Sequence, residues 1–299
     1  MPVGNCRSEV TNRSLIGHGG YDLNVTSNER PVIGFLTDFG LDGAAATCRG
    51  VMIGICGDAQ VVDISHTVRK YAIRDGAFIL RSALPFLPIG VHVGVVDPGV
   101  GTDRRPIAIR TARGDVLVGP DNGLLLPAAD ALGGPTAARE LTNRALWLPH
   151  TTSTFHGRDI FAPVAAHLAN EDTRFETLGT DLPIDGLVRL PVAEARTTPG
   201  HLETEITYVD SFGNLRLAGG RAELEQAIAD IGVGSALSIS IGTEPAGRAV
   251  FARSFGHVAV GATVLYVDSS GDLALADNQA DLAARLGAAA GMPVTIEPG

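Results

Sequence analysis

The chain has 299 residues, 45% of them apolar and 19% charged, with a formal net charge of −10. That length favours two cores over one, and no apolar stretch reaches the roughly 18 residues needed to span a bilayer, so no membrane partner is expected. Lysine and arginine are scattered singly, whereas a nucleic-acid groove shows a basic stripe, so no nucleic-acid partner is expected either.

Residues 1–30 are polar and rich in Gly, Asn and Ser, with Arg7 and Arg13 but no apolar h-region. They read as a polar N-terminal extension rather than a secretory signal, which leaves the sequons at Asn12 and Asn24 without meaning. Cys6, Cys48 and Cys56 neither pair evenly nor show CxxC spacing. They read as free thiols in a reducing compartment, and a cytoplasmic location is expected.

From Pro31 strand and helix patterns alternate. Val32–Leu36 is a short apolar strand, Ala44–Cys56 a helix with Val51 and Ile55 on one face, and Val61–Ile64 a strand. Ile73–Leu84 reads as a helix, with Ile73, Ala77, Leu80 and Leu84 at i, i+4, i+7 and i+11. Val91–Val96 is a buried-type strand, followed by an expected strand pair, Ile107–Arg110 and Val116–Val118. A helix is expected over Arg158–Leu168. Its start is placed nearer Ile160, because Pro163 costs a hydrogen bond anywhere beyond the first turn. These elements predict an α/β fold, with a mainly parallel sheet covered on both faces over residues 31–183.

Prolines then punctuate Pro183–Pro199, and residues 184–199 read as a linker. Strands at Leu202–Val209, Leu237–Ile241, Val264–Val267 and Val294–Ile296, with a helix near Ala222–Ala229, predict a smaller β-barrel-like domain over 200–299.

Polar residues collect at the predicted strand ends: Thr37-Asp38, Asp63 to His66, Asp97 and Asp121-Asn122. Ligands of such sheets bind outside the carboxyl ends of the strands. The run VVDPGVGTDRRPI (95–107) carries Asp97 into a Pro/Gly turn that then presents Arg104 and Arg105. Its charges either face one pocket or form an ion pair that stabilises the loop. His156, in STFHGRDIFAP (153–163), lies just ahead of a helix N-terminus carrying about half a positive charge. That field disfavours imidazolium and keeps the ring fit to accept a proton or a water's hydrogen bond; the alternative is a capping or core histidine. His66, His92, His167 and His257 are not singled out.

Asp38 offers two acceptor oxygens that match a ribose diol. Its alternative is Mg²⁺ binding with Asp42 or Asp97, but no HExxH, DxDxDG or Cys/His cluster supports a metal. There is also no GxGxxG or GxxxxGK[ST] loop, which argues against a dinucleotide or P-loop site. In Asp210-Ser-Phe-Gly-Asn214, Phe212 could stack on a base and Asn214 could read adenine; a bare turn would look the same.

Seven runs occur in order: TDFG (37–40), VVDISH (61–66), VVDPGVGTDRR (95–105), VGPDNGLL (118–125), STFHGRDIFAPVAAHLA (153–169), YVDSFGN (208–214) and SSGDLALADN (269–278). Together they resemble the S-adenosyl-L-methionine (SAM) hydroxide adenosyltransferases, or adenosine-forming SAM hydrolases, a family related to the fluorinases and chlorinases. The resemblance covers about residues 31–299. It implies a larger α/β N-terminal domain and a smaller β-barrel domain. It also implies a homotrimer that binds SAM between the N-domain of one subunit and the C-domain of its neighbour.

The implied reaction is SAM plus water giving adenosine and methionine, with SAM as substrate and no cofactor. The family's triad falls on Asp97, Arg104 and His156, and halide-using relatives lack it; Arg105 reverts to a structural part. By the same resemblance Asp38 holds the ribose diol, Asp210 and Ser269 the methionine amine and carboxylate, and Phe212 and Asn214 the adenine. Ser270 stands where halogenating relatives carry arginine, and Leu-Arg-Leu-Ala after Asn214 departs from the usual Thr/Asn-containing stretch. The rivals are a 5′-halo-5′-deoxyadenosine synthase and a SAM- or adenosine-binding protein without turnover.

Overall fold

The structure, a computed structural model, describes residues 30–299. The N-terminal extension short of Arg30, with Cys6 and both sequons, lies outside the described residues. The chain divides into two compact units between Leu190 and Pro191.

The first unit comprises β1 (Val32–Thr37), α1 (Ala44–Ile55), β2 (Gln60–Ser65), α2 (Ile73–Ala83), β3 (Val91–Val95), β4 (Pro106–Thr111), β5 (Val116–Pro120), α3 (Leu126–Ala131), β6 (Pro135–Glu140), α4 (Ala162–Ala169) and β7 (Thr180–Leu182). One sheet runs β2-β1-β3-β5-β4-β6-β7. Its first four strands are parallel, while β4, β6 and β7 add an antiparallel flank.

β1 and β3 are buried along their whole length, as Val/Ile/Leu/Phe runs demand of strands covered on both faces. Ile33 and Phe35 pack with Met52 of α1 and Val164 of α4, whereas Leu36 packs with Leu80 of α2 and Ala128 of α3. Full burial of a side chain such as Phe35 or Phe161 contributes roughly 1.5–3 kcal/mol. The chain steps from β1 to β2 on one side and returns to β3 on the other. The carboxyl ends of β1 and β3 therefore flank the topological switch point, where a crevice opens. Asp38 and Asp97 follow those two ends.

The helix expected to start near Ile160 starts earlier. A π-turn spans Gly157–Phe161, with the Ala162 N–H donating to the Gly157 carbonyl, and α4 continues from it. Pro163 thus falls in the first turn of α4, where its missing N–H costs least. The Asp159 carbonyl, which a residue at 163 would otherwise engage, accepts the Leu148 N–H at 2.9 Å instead. That bond anchors the loop leading to His156.

The second unit comprises β8 (Arg196–Thr198), β9 (His201–Val209), β10 (Leu215–Gly220), α5 (Arg221–Ala227), β11 (Ala236–Ile241), β12 (Glu244–Phe251), β13 (Thr263–Val267), β14 (Asp272–Asp277), α6 (Leu282–Leu286) and β15 (Pro293–Pro298). Seven strands close a barrel, β9-β10-β14-β13-β12-β11-β15 and back to β9, with β8 added on β9. Closure removes the exposed edges that would invite aggregation. Leu202, Ile206, Leu215, Leu265, Leu275 and Ile296 fill the interior, with Leu224 of α5 and Leu282 of α6 packed into it.

Candidate active site

In the first unit a cleft of about 250 Å³ at the carboxyl ends of β1 and β3 is lined by Asp38, Phe39, Lys70, Tyr71, Val95, Asp97, Val100, Thr154, Phe155, His156 and Gly157. Three of the residues singled out in the sequence meet beside it. Arg104 Nε donates to Asp97 Oδ1 at 3.1 Å and Nη2 donates to Oδ2. The same Nη2 lies 3.2 Å from His156 Nδ1. The Arg104 and Asp97 side chains are only 7% and 4% exposed, so the pair is a desolvated ion pair, and its Asp97 also lines the cleft.

Loop geometry explains how residues 52 positions apart meet. Gly101 has φ +77 and lies so close to Ser153 that a Cβ would run into its carbonyl oxygen. Only glycine fits that contact. Thr102 Oγ1 closes the turn on the Gly99 carbonyl at 2.7 Å, and Asn122 Nδ2 holds the Val96 carbonyl at 2.8 Å, just ahead of Asp97. Arg105 turns elsewhere: its Nε donates to Asp121 Oδ2 at 2.9 Å and its Nη2 to the Gly186 carbonyl at 2.7 Å.

Burial, and then the Arg104 guanidinium, push the His156 ring below its usual pKa of 6.5, against the pull of the Asp97 and Asp159 carboxylates. The direction matches the sequence expectation, but burial leads rather than the helix field. The His156 side chain makes no capping bond, which removes the capping alternative. A guanidinium can only donate, so Nδ1 accepts and the neutral ring carries its proton on Nε2. Arg104 Nη1 is buried and has no acceptor among the described residues. It is a donor available to a water molecule.

Asp38 directly follows β1, and its Oδ2 accepts the Tyr71 N–H at 2.9 Å, with no bond to Oδ1 from the described residues. Tyr71 holds φ +67, a strained backbone for a non-glycine residue. Phe155 stands edge-on to Phe39 with ring centroids 5.6 Å apart. Lys70, Tyr71 and Phe155 were not picked out from the sequence. Nothing local marks a left-handed Tyr71, whose N–H meets a carboxylate 33 residues away.

In the second unit the Asp210–Asn214 turn joins β9 to β10. Asp210 Oδ1 accepts the N–H groups of Phe212 and Asn214 at 2.9 and 3.0 Å, and Oδ2 accepts Asn214 Nδ2 at 2.9 Å. Gly213 has φ +79 and packs on the Asp281 carboxylate. The turn is rigid and leaves the Phe212 ring 76% exposed, presenting an aromatic face as a stacking platform does. Ser269 is exposed on the turn from β13 to β14. Arg216, two residues beyond Asn214, forms an ion pair with Asp268, one residue before Ser269, so one bond ties the two turns together. This is where the Leu-Arg-Leu-Ala departure acts: Leu215 and Leu217 enter the barrel core and Arg216 braces the rim.

Among the other histidines, His92 is buried, with Nε2 3.0 Å from Asp115 Oδ1. Burial raises the Asp115 pKa, but bonds from Arg113 and His92 outweigh it and hold the carboxyl at about 2. Among the described residues no group of three or more His, Cys, Asp or Glu side chains is spaced to hold a metal ion.

Against known proteins, residues 33–179 match the SAM hydroxide adenosyltransferase N-terminal domain and residues 204–295 the C-terminal domain of the same family. The chain is 43% identical over 270 residues to an (R)-S-adenosyl-L-methionine hydrolase of Salinispora tropica, covering 90% of this chain and 98% of that protein. The chain belongs to the SAM hydroxide adenosyltransferase family. More distant relatives include a fluorinase of Actinopolyspora mzabensis, 31% identical over 90% of this chain and 98% of its own. A solved structure of an uncharacterized conserved protein from Thermotoga maritima superposes with a TM-score of 0.80 at 32% identity, covering 88% of this chain and 99% of that one. The N-terminal match of the family contains Asp38, Asp97, Arg104 and His156, and the C-terminal match contains Asp210, Phe212, Asn214 and Ser269.

Proposed function

We propose that this protein hydrolyses S-adenosyl-L-methionine to adenosine and methionine by in-line attack of water on C5′. C5′ carries a sulfonium, and the departing methionine thioether is neutral, so no general acid is needed. Two things are needed: a water made more nucleophilic, and a ribose held in line with it. The observation that carries the reading is the Asp97–Arg104–His156 assembly at the cleft that also contains Asp38.

In this mechanism Asp97 accepts the water's proton, since its oxygens keep lone pairs beyond those given to Arg104. Arg104 holds the carboxylate in place and offers Nη1 to the water. His156, whose Nδ1 accepts from Arg104, keeps that guanidinium in place; with Nη1 as its one donor, the water oxygen retains a second lone pair for C5′. Help of this kind is worth about 10²–10⁴-fold. Asp38 holds the ribose diol.

The exposed Phe212, the rigid Asp210–Asn214 turn and the braced Ser269 support their assignment to adenine and to the methionine end. We assign them to a neighbouring subunit of a homotrimer that completes the site. SAM is the substrate, no cofactor is required, and the location is cytoplasmic. Among the described residues no helix is long and apolar enough to cross a membrane.

Chromatography of purified protein incubated with SAM tests the reading. Equal amounts of adenosine and methionine are expected, and no haloadenosine when chloride or fluoride is added. A haloadenosine product would turn the assignment to halide transfer, and SAM retained without product would make the protein a binder.

A further inference from the structure

β2 pairs with β1 through one irregularity: Phe35 lies opposite Asp63 but Leu36 opposite Ser65, so Ile64 is an extra residue. In a regular strand Asp63 and His66, three positions apart, would point to opposite sides. The bulge re-aims the chain, and His66 Nε2 comes to 3.1 Å from Asp63 Oδ1. Arg49 of α1 holds the other oxygen, Nη1 to Oδ2 at 2.5 Å. The second ring nitrogen, Nδ1, lies 2.9 Å from Thr37 Oγ1, and the ring stands edge-on to Phe35.

A carboxylate, an imidazole and a hydroxyl in this order suggest a nucleophile, but Thr37 is fully buried. Its oxygen does something else: it accepts the Phe39 N–H at 3.2 Å, closing a turn around Asp38. The His66 carbonyl accepts the Gly40 N–H at 2.7 Å in the same turn. Proton directions follow. The Asp63 carboxylate can only accept, so Nε2 carries a proton toward it, and the tautomer that leaves Nδ1 bare takes the Thr37 hydroxyl proton. Each donor in the chain meets an acceptor, from the exposed Arg49–Asp63 pair inward to the buried Thr37, so the Thr37 hydroxyl is held in one orientation.

We propose that His66 is a positioning residue that sets the Asp38 carboxylate through Thr37. The proposal rests on Asp38 holding the ribose diol of SAM. The test compares calorimetric affinities for adenosine and 2′,3′-dideoxyadenosine, with SAM kinetics alongside, in the full-length wild type, His66→Ala, His66→Asn and Thr37→Val.

The wild type is expected to prefer adenosine by about tenfold or more, the scale of a hydrogen bond to a charged group. His66→Ala and Thr37→Val lose most of that preference and raise KM for SAM about tenfold, with kcat changed by less than about threefold. His66→Asn, whose amide oxygen can accept the Thr37 proton, regains most of the preference. A variant combining His66→Ala with Thr37→Val is no worse than either single one, because both break the same chain.

An unchanged adenosine preference in folded Thr37→Val and His66→Ala overturns the proposal, as does a loss of kcat at constant KM. If His66→Ala does not fold, the near-isosteric Thr37→Val and His66→Asn decide it. A wild type with no preference for the diol overturns it at Asp38. A wild type that prefers adenosine but leaves SAM intact overturns the hydrolase reading alone, and the variants' preferences still decide the role of His66.

Discussion

A neutral imidazole beside a guanidinium gives this site its expected pH response. Burial and Arg104 lower the His156 pKa, so the ring stays neutral below its ordinary 6.5 and protonates only at lower pH. kcat/KM should therefore hold as pH falls through 6.5 and drop below it. An acid limb centred above 6.5 would contradict the assignment, and His156→Gln should abolish the limb. Asp97→Asn and His156→Ala should each lower kcat about 10²-fold or more while SAM still binds; single-turnover kinetics with equilibrium binding checks both. A strand end, a Gly/Pro turn and a helix start mark Asp97, Arg104 and His156 locally as candidates, but local pattern left their meeting open and only the family resemblance joined them. Tyr71, Arg216 and His66 carry no such mark. Their roles depend on a positive φ, a cross-strand ion pair and a bulge in the pairing, none of which local pattern reveals.

At the scale of elements, the loop after β3 and the segment ahead of the π-turn act as one part. Gly101→Ala combines a left-handed φ with a collision against Ser153, so it should cost about 1–3 kcal/mol and reduce kcat by displacing Arg104. Gly99→Ala meets only ordinary contacts at 3.5 Å and should leave the melting temperature nearly unchanged; calorimetric scans of the two variants check this. At the other end of β3, Asp115 ties Arg113, His92 and the Gly90 N–H together. Its folded pKa of about 2 lies below the ordinary 3.8, so its stabilising contribution, roughly 2 kcal/mol, is complete above that ordinary value. It is lost as the pH falls toward 2. Urea titrations of wild type across acid pH should show that loss, and Asp115→Asn should be destabilised even at pH 7 because Arg113 loses its partner. The parallel strands and their helices were readable from continuous apolar runs and 3.6-residue spacing. The π-turn was not, because Pro163 alone does not reveal that Leu148 satisfies the Asp159 carbonyl.

For the whole molecule, the parallel-rich first unit follows from strands that are apolar along their full length. Barrel closure in the second depends on β10 and β14: each forms a local hairpin, with β9 and with β13, and their pairing with one another joins distant segments. Neither strand was anticipated: β10 mixes Arg216 with two terminal glycines, and Leu273 to Ala276 of β14 is buried without alternation. The proposed homotrimer predicts a light-scattering mass of about three times the 31.0 kDa chain; a monomer at working concentration would leave the barrel turns without a neighbouring cleft to complete. The central claim is that water, activated by Asp97, Arg104 and His156, displaces methionine from C5′. Mass spectrometry of the products formed from SAM in ¹⁸O-water tests it directly. The account predicts one ¹⁸O in the 5′-hydroxyl of adenosine and none in methionine, and unlabelled adenosine, or no adenosine at all, would contradict it.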